Sequence, residues 1–210
     1  MRLHKLVSLL VMSLCLLSRG VGHATVLLND NFDGENGGVP TLNYSGFANF
    51  SIANSGGGGA ADLIGNGFAD FFPGNGLYVD ICGSASACAV LTTKQVFAAG
   101  SYTVTLGIAG NGRVAGADDA LNMSFGAFSA SFLLNIFDQA TEVENVTLSA
   151  PSALTISDQG AFGPDIGNIL LSVKVETVEP GPTPTPEPGT LGLLSLAFAG
   201  IGLARRRRLS

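Results

Sequence analysis

The stretch Ser101-Tyr102-Thr103-Val104-Thr105-Leu106-Gly107-Ile108-Ala109 decides the fold class, because large apolar residues alternate with small or polar ones along it. The large residues at 102, 104, 106 and 108 would face one way, and the residues between them the other way. This period of two predicts a strand that is buried on one face. Residues 169–176 repeat the pattern, which predicts one shared face for Ile169, Leu171, Val173 and Val175.

Short segments of the same kind occur along the rest of the chain, separated by glycine-rich turns such as 56–59, 73–76 and 109–112. No amphipathic helix of useful length interrupts them. About ten short strands with such turns predict an all-β fold, a single β-sandwich or jelly roll over residues 25–178. The other predicted strands are residues 25–28, 48–52, 77–81, 89–97, 121–125, 129–136, 142–149 and 153–157.

The amino-terminal segment has the order of a secretory signal peptide. Arg2, His4 and Lys5 precede an apolar stretch at residues 6–17, and small residues follow it. We expect residues 1–24 to form a signal helix that is removed by cleavage after Ala24.

Most basic residues lie in the two terminal segments, so the exported part of the chain is strongly acidic. It keeps only Lys94, Arg113 and Lys174 against sixteen acidic residues, and therefore has a formal charge of −13. Such a surface repels nucleic acid, and no nucleic-acid partner is expected. The charge is compatible with a neutral glycan, or with an acidic one that divalent cations bridge to the protein.

Two cysteines remain after export, Cys82 and Cys88, and they enclose five small residues. In an oxidising compartment this spacing predicts a disulfide. Both histidines lie in the signal peptide, so two lone thiols would be an incomplete set of metal ligands. The same lack of histidine argues against a catalytic thiol.

The carboxy-terminal segment combines three features in order. Residues 179–187 are rich in proline and threonine and predict an extended, semi-rigid linker. Pro186, Glu187, Pro188 and Gly189 lead into an apolar run, so residues 189–204 are predicted as a short transmembrane helix. The run ends in a basic cluster, which stays on the cytoplasmic side of a membrane. This cluster is Arg205, Arg206, Arg207 and Arg208.

Residues 186–210 resemble the PEP-CTERM sorting signal found in Gram-negative bacteria. The resemblance implies export through the inner membrane and transient anchoring by the tail, with the domain outside. It also implies processing near the Pro-Glu-Pro triplet by an exosortase. The product would reach the cell surface or the extracellular matrix of a species that makes exopolysaccharide.

The motifs of the exported part also resemble a jelly roll of the carbohydrate-binding-module type, which is galactose-binding-like in architecture. They lie at residues 29–36, 61–67, 74–80, 99–104 and 165–168. In that family a structural Ca²⁺ commonly joins the loop after the first strand to the last strand. The resemblance implies Asn31, Asp33 and Glu35 as its oxygen ligands, a chemistry suited to Ca²⁺. The alternative is a solvated acidic loop that binds no ion. The chain departs from the family at Leu171, where the last strand would supply an aspartate.

A sugar site normally uses aromatic rings as stacking platforms. The chain has thirteen phenylalanines, three tyrosines and no tryptophan. Tyr44, Phe71 and Phe72 are the candidates for glycan contact, and packing in the core is the alternative for each.

Paired carboxylates could hydrolyse glycosides, and two pairs are visible. Asp118-Asp119 is expected in a turn, and Glu142 and Glu144 on one face of an exposed strand. With no histidine left and no nucleophile motif, we expect no enzyme. Two functions remain open, a non-catalytic matrix protein associated with exopolysaccharide and a lectin-like module with a defined sugar site.

Overall fold

A computed structural model describes residues 24–54, 61–84, 88–113, 119–158 and 167–178 of the chain. Within these ranges twelve strands pair into two sheets, and every pairing is antiparallel. The strands are β1 Val26–Asp30, β2 Thr41–Tyr44, β3 Phe50–Asn54, β4 Ala61–Gly65, β5 Leu77–Asp80, β6 Ala89–Thr93, β7 Gly100–Ala109, β8 Asp119–Phe125, β9 Phe128–Leu134, β10 Gln139–Leu148, β11 Leu154–Asp158 and β12 Ile169–Thr177.

The seven-stranded sheet runs β10-β7-β12-β5-β4-β2, and β1 also pairs with β12. One side of β12 pairs with β7 along its length. The other side pairs with β5 at Ile169 and Leu170, and with β1 farther along the strand. The last strand in sequence therefore holds the larger sheet together.

The five-stranded sheet runs β3-β6-β11-β8-β9. The main core lies between the two sheets and contains the buried apolar side chains of both. Three aromatic rings contact one another there, with 5.2 Å between the ring centroids of Phe97 and Phe125 and 5.8 Å between those of Phe97 and Tyr102. The predicted β-sandwich is confirmed, with Ala24–Val178 as one compact unit.

Strand β7 follows its predicted pattern, because Tyr102, Val104, Leu106 and Ile108 all lie in the main core. Its burial follows from the period of two, since each of these side chains points to the same face of the sheet.

Strand β12 departs from the predicted pattern. Its register with β7 shifts between Leu170 and Ser172, which marks a β-bulge. The extra residue moves Leu170, Val173 and Val175 into the main core, whereas Ile169 and Leu171 lie in a separate apolar cluster. The prediction that Ile169, Leu171, Val173 and Val175 share one face is therefore wrong.

The predicted signal peptide, linker, transmembrane segment and sorting residues lie outside the described ranges, Ala24 excepted. Within those ranges, no helix has the length and apolarity that crossing a bilayer requires. Asp118 also lies outside them, whereas Asp119 begins β8.

Candidate functional site

A second, smaller core covers part of the outer face of the seven-stranded sheet. Ile64, Tyr78 and Ile169 point outward from three neighbouring strands, and Phe72 of the β4–β5 loop packs on them. The Tyr78 hydroxyl accepts a hydrogen bond from the Phe72 N–H at 3.2 Å and donates one to Asp70 at 3.1 Å. Burial raises the pKa of Tyr78 to about 12, so this hydroxyl stays protonated.

An ion pair lies beside this smaller core. Asp80 is fully buried on β5, and its Oδ2 is 2.7 Å from Nη1 of Arg113, which follows β7. The guanidinium of Arg113 also lies 4.4 Å from the ring centroid of Phe71. Burial raises the pKa of Asp80 to about 6, against the opposing effect of Arg113 and with a further contribution from the neighbouring Asp62 carboxylate.

Other carboxylates act as internal hydrogen-bond acceptors for loops. Asp62 is buried on β4 and accepts the N–H groups of Asn43 and Ser84 at 2.8 and 2.7 Å. Asp30 accepts the Phe32 N–H at 2.9 Å and the Asn49 amide at 3.0 Å. Residues 25–178 contain only three lysines and arginines, so hydrogen bonds from backbone and amide N–H groups are the main way to satisfy buried acids there.

The loop after β1 contains the three predicted calcium ligands, and the structure divides them between two sets of partners. Asp33 accepts hydrogen bonds from the Asn31 amide at 2.7 Å and from the Leu77 N–H at 2.9 Å. Glu35 is buried, and its two oxygens accept from the Ala48 N–H at 2.8 Å and the Tyr44 hydroxyl at 3.2 Å. Asp33 and Glu35 are therefore held by different partners, and calcium binding by this loop stays a prediction.

The three predicted glycan-contact residues differ in their exposure. Phe72 is 3% exposed in the smaller core, so its ring offers no face to a ligand. Phe71 is half-buried beneath Arg113, and the half-buried Tyr44 packs edge-on against Phe47 with 4.7 Å between ring centroids. Both rings are therefore used mainly in packing.

The predicted disulfide between Cys82 and Cys88 is present. Cys82 follows β5 of the larger sheet and Cys88 precedes β6 of the smaller one, so the bond closes the connection between the sheets. The Asp158 carboxylate lies within 4.8 Å of both sulfurs. Because the sulfurs are bonded to each other, this trio does not offer a thiolate site.

A cleft of about 380 Å³ opens on the outer face of the seven-stranded sheet, beside the smaller core. Its lining comes from β7, β10, β12 and two loops. Amide and hydroxyl groups dominate this lining, and no lining residue is charged. The main lining residues are Asn31, Asn75, Gln139, Thr141, Leu171 and Ser172.

Residues 184–208 match the family model of the PEP-CTERM protein-sorting motif. The chain carries this sorting motif. The match covers the Pro-Glu-Pro triplet, the apolar run and the four terminal arginines, as predicted. No curated protein sequence matches the chain.

Solved structures with a similar fold include the K3 cleaved adhesin domain of Lys-gingipain from Porphyromonas gingivalis w83. It has 14% identity and a TM-score of 0.50, and the match covers 74% of this chain and all of that domain. The arabinose-bound α-L-arabinofuranosidase MgGH51 matches with 11% identity, a TM-score of 0.46 and 65% of this chain, but over only 24% of the enzyme. The C-terminal family 6 carbohydrate-binding module of the laminarinase LamC from Zobellia galactanivorans has 9% identity and a TM-score of 0.39, with 67% of this chain and 100% of the module covered. These likenesses concern the fold alone.

The charged and amide residues that surround the smaller core and the cleft were not identified from the sequence. Arg113 was the residue with a detectable signal, since it is one of three lysines and arginines in residues 25–178. A lone arginine among many acids is expected to pair with one of them. The cleft had no such signal, because its residues come from five separate segments of the chain.

Proposed function

We propose that this protein is a non-catalytic component of the cell surface or extracellular matrix that associates with exopolysaccharide. The observation that carries the proposal is the sorting motif at residues 184–208. In the proposed route an exosortase in the inner membrane processes the chain near Pro186, Glu187, Pro188 and Gly189. The arginines at 205–208 hold the tail in the membrane until then.

The surface of the domain supports association with a glycan polymer. Its net negative charge disfavours nucleic acid and anionic lipid. Several of its aspartate and glutamate side chains accept hydrogen bonds from backbone N–H groups. These carboxylates therefore hold loops in position and also contribute negative charge. The outer face of the five-stranded sheet carries neutral hydroxyl groups on every strand, which can exchange hydrogen bonds with sugar hydroxyls.

Mass spectrometry of the secreted chain tests the sorting part of the proposal. The chain would be expressed in an exopolysaccharide-producing host with an exosortase, and in the same host lacking that enzyme. We expect a mature product in the medium that begins near Thr25 and ends near Pro186, and an intact tail in the membranes of the deletion strain. A chain that keeps residues 189–204 in both hosts would contradict processing.

Co-sedimentation tests the association itself. The secreted chain would be mixed with purified exopolysaccharide of the host, with and without a divalent-cation chelator. We expect the chain to sediment with the polymer. A chain that stays in the supernatant under both conditions would contradict association.

A lectin-like module is the second candidate function, and one observation favours it. The cleft on the seven-stranded sheet is lined by amides and hydroxyls, which is a chemistry that suits a sugar.

A further inference from the structure

The cleft depends on a glycine of β7, Gly107, which is one of its lining residues. Gly107 lies opposite the β-bulge of β12, and a Cβ atom at this position would lie 2.5 Å from the Ser172 hydroxyl oxygen. Because glycine has no Cβ, Ser172 can sit against β7 and form part of the lining. A larger residue at 107 would push Ser172 away, so the glycine and the bulge together shape the cleft.

One wall of the cleft is held by its own hydrogen bonds. The Asn75 side-chain amide donates to the Phe72 carbonyl at 2.8 Å and to the Gln139 side-chain oxygen at 3.1 Å. These bonds orient the two amides before any ligand arrives. These two bonds use the Asn75 side-chain nitrogen and the Gln139 side-chain oxygen. They do not use the Asn75 side-chain oxygen or the Gln139 side-chain nitrogen.

The remaining lining residues add one apolar surface and two further polar groups. Leu171 supplies an apolar surface, Thr141 adds a hydroxyl from β10, and Asn31 adds an amide from the loop after β1. Amides and hydroxyls both donate and accept hydrogen bonds, as sugar hydroxyls do. The lining has no cation to bind an anionic group and no carboxylate to bind a cation.

We infer that this cleft binds a neutral mono- or disaccharide unit of a glycan. The volume of about 380 Å³ is in the range of small-ligand sites. The charge of the exported part disfavours a uronic acid or a sulfated sugar at the same place. No aromatic ring lines the cleft, so binding is expected to be weak, on the order of millimolar. The inference rests on the proposed association with glycan and names its contact site.

Saturation-transfer NMR on the secreted mature chain tests the site with lactose, maltose, cellobiose and mannobiose as probes. We expect transfer to at least one of them. The variant Gln139→Ala should reduce the transfer at least fivefold, because the oriented amide is lost. The matched control Asn145→Ala removes an exposed amide from the same face of β10, outside the cleft, and should leave the transfer unchanged.

Two results would overturn the inference: no transfer to any of the four disaccharides, or equal transfer in the wild type and in Gln139→Ala. Sedimentation with the host exopolysaccharide separates this failure from that of the proposed function. If the chain still sediments with the polymer, the cleft is excluded as the contact site and the matrix function stands. If a disaccharide binds in the cleft but the polymer does not sediment with the chain, the site stands and the matrix function fails.

Discussion

The two sheets of this sandwich expose very different outer faces. On the seven-stranded sheet a loop, a second apolar core and a buried ion pair cover part of the surface, and a cleft opens beside them. On the five-stranded sheet, one hydroxyl residue from each strand lies directly across from the next, and the row is open. This row is Ser51, Thr92, Thr155, Ser124 and Ser129.

The difference shows where this fold places its specific contacts. The hydroxyl row repeats with the spacing of the strands, about 4.8 Å, and offers the same chemistry at each step. The covered face instead brings residues from distant segments to fixed positions. We therefore expect substitutions on the covered face to change stability or binding strongly, and substitutions on the hydroxyl row to change little.

Phe72→Ala should give the largest effect, because Phe72 fills the smaller core with 3% of its surface exposed. Removing a buried phenylalanine side chain costs about 3–5 kcal/mol of the free energy of unfolding. Urea denaturation followed by circular dichroism would measure the loss. The matched control is Phe137→Ala at a residue that is 66% exposed, where a change below about 0.5 kcal/mol is expected. Equal losses in the two variants would mean that the loop does not form a second core.

The Asp80 carboxyl should give stability an unusual dependence on pH. Its pKa is about 6 in the folded chain and has an ordinary value of 3.8, so the folded state binds the proton more tightly. The stability that this difference contributes is therefore fully present below about pH 4, and is lost as the pH rises through about 6. Other acids contribute their own dependence, so the useful quantity is the difference from Asp80→Asn.

The free energy of unfolding of the wild type minus that of Asp80→Asn should fall between pH 4 and pH 7. A fall of about 2–3 kcal/mol is expected, since one pKa unit corresponds to about 1.4 kcal/mol and the pKa of Asp80 is raised from 3.8 to about 6. Denaturation series at four or five pH values would measure it. A difference that rises with pH would mean that Arg113 outweighs burial and holds the Asp80 pKa low.

Thr155→Val on the hydroxyl row should give the smallest effect. Its hydroxyl lies 3.4 Å from that of Thr92 on a half-buried surface, and a change below about 0.5 kcal/mol is expected. Thr93→Val is the contrasting variant. The Thr93 hydroxyl is buried and accepts the Leu154 N–H at 3.0 Å, so its loss leaves a buried donor unpaired and costs about 1–3 kcal/mol. Thermal or urea denaturation of both variants would test the comparison, and a large loss in Thr155→Val would contradict it.

The strands of the sandwich could be predicted where burial differs between their two faces. The alternation in β7 and the short runs in β8, β9 and β11 were sufficient for this reason. Strand β4 was missed although β5, whose residues are also all buried, was predicted. Strand β4 has a small residue at each end, Ala61 and Gly65, and so shows only two large apolar residues in sequence. Strand β2 was missed because it is short and irregular, with Asn43 at a positive φ of 54°.

The candidate site was much less predictable. The disulfide was found because its two cysteines are close in sequence and the third, Cys15, lies in the predicted signal peptide. The Asp80–Arg113 pair and the cleft depend on contacts between segments far apart in the chain, which no local pattern specifies. The bulge in β12 adds one residue to the strand, so the side chains after it point to the opposite face of the sheet from the one that simple alternation predicts. The sequence pattern of that strand does not reveal where the bulge lies.

The position of β12 has a consequence for how the chain folds. It is the last of the twelve strands in sequence, yet β1, β5 and β7 all pair with it. When a chain crosses a membrane from its amino terminus, the first strand must wait for a partner about 150 residues away, and contacts of such long range slow folding. On the export route proposed above, the larger sheet could close only after Ile169–Thr177 had crossed. On that route the topology would keep the chain unfolded during translocation and would delay its folding until the last strand has crossed.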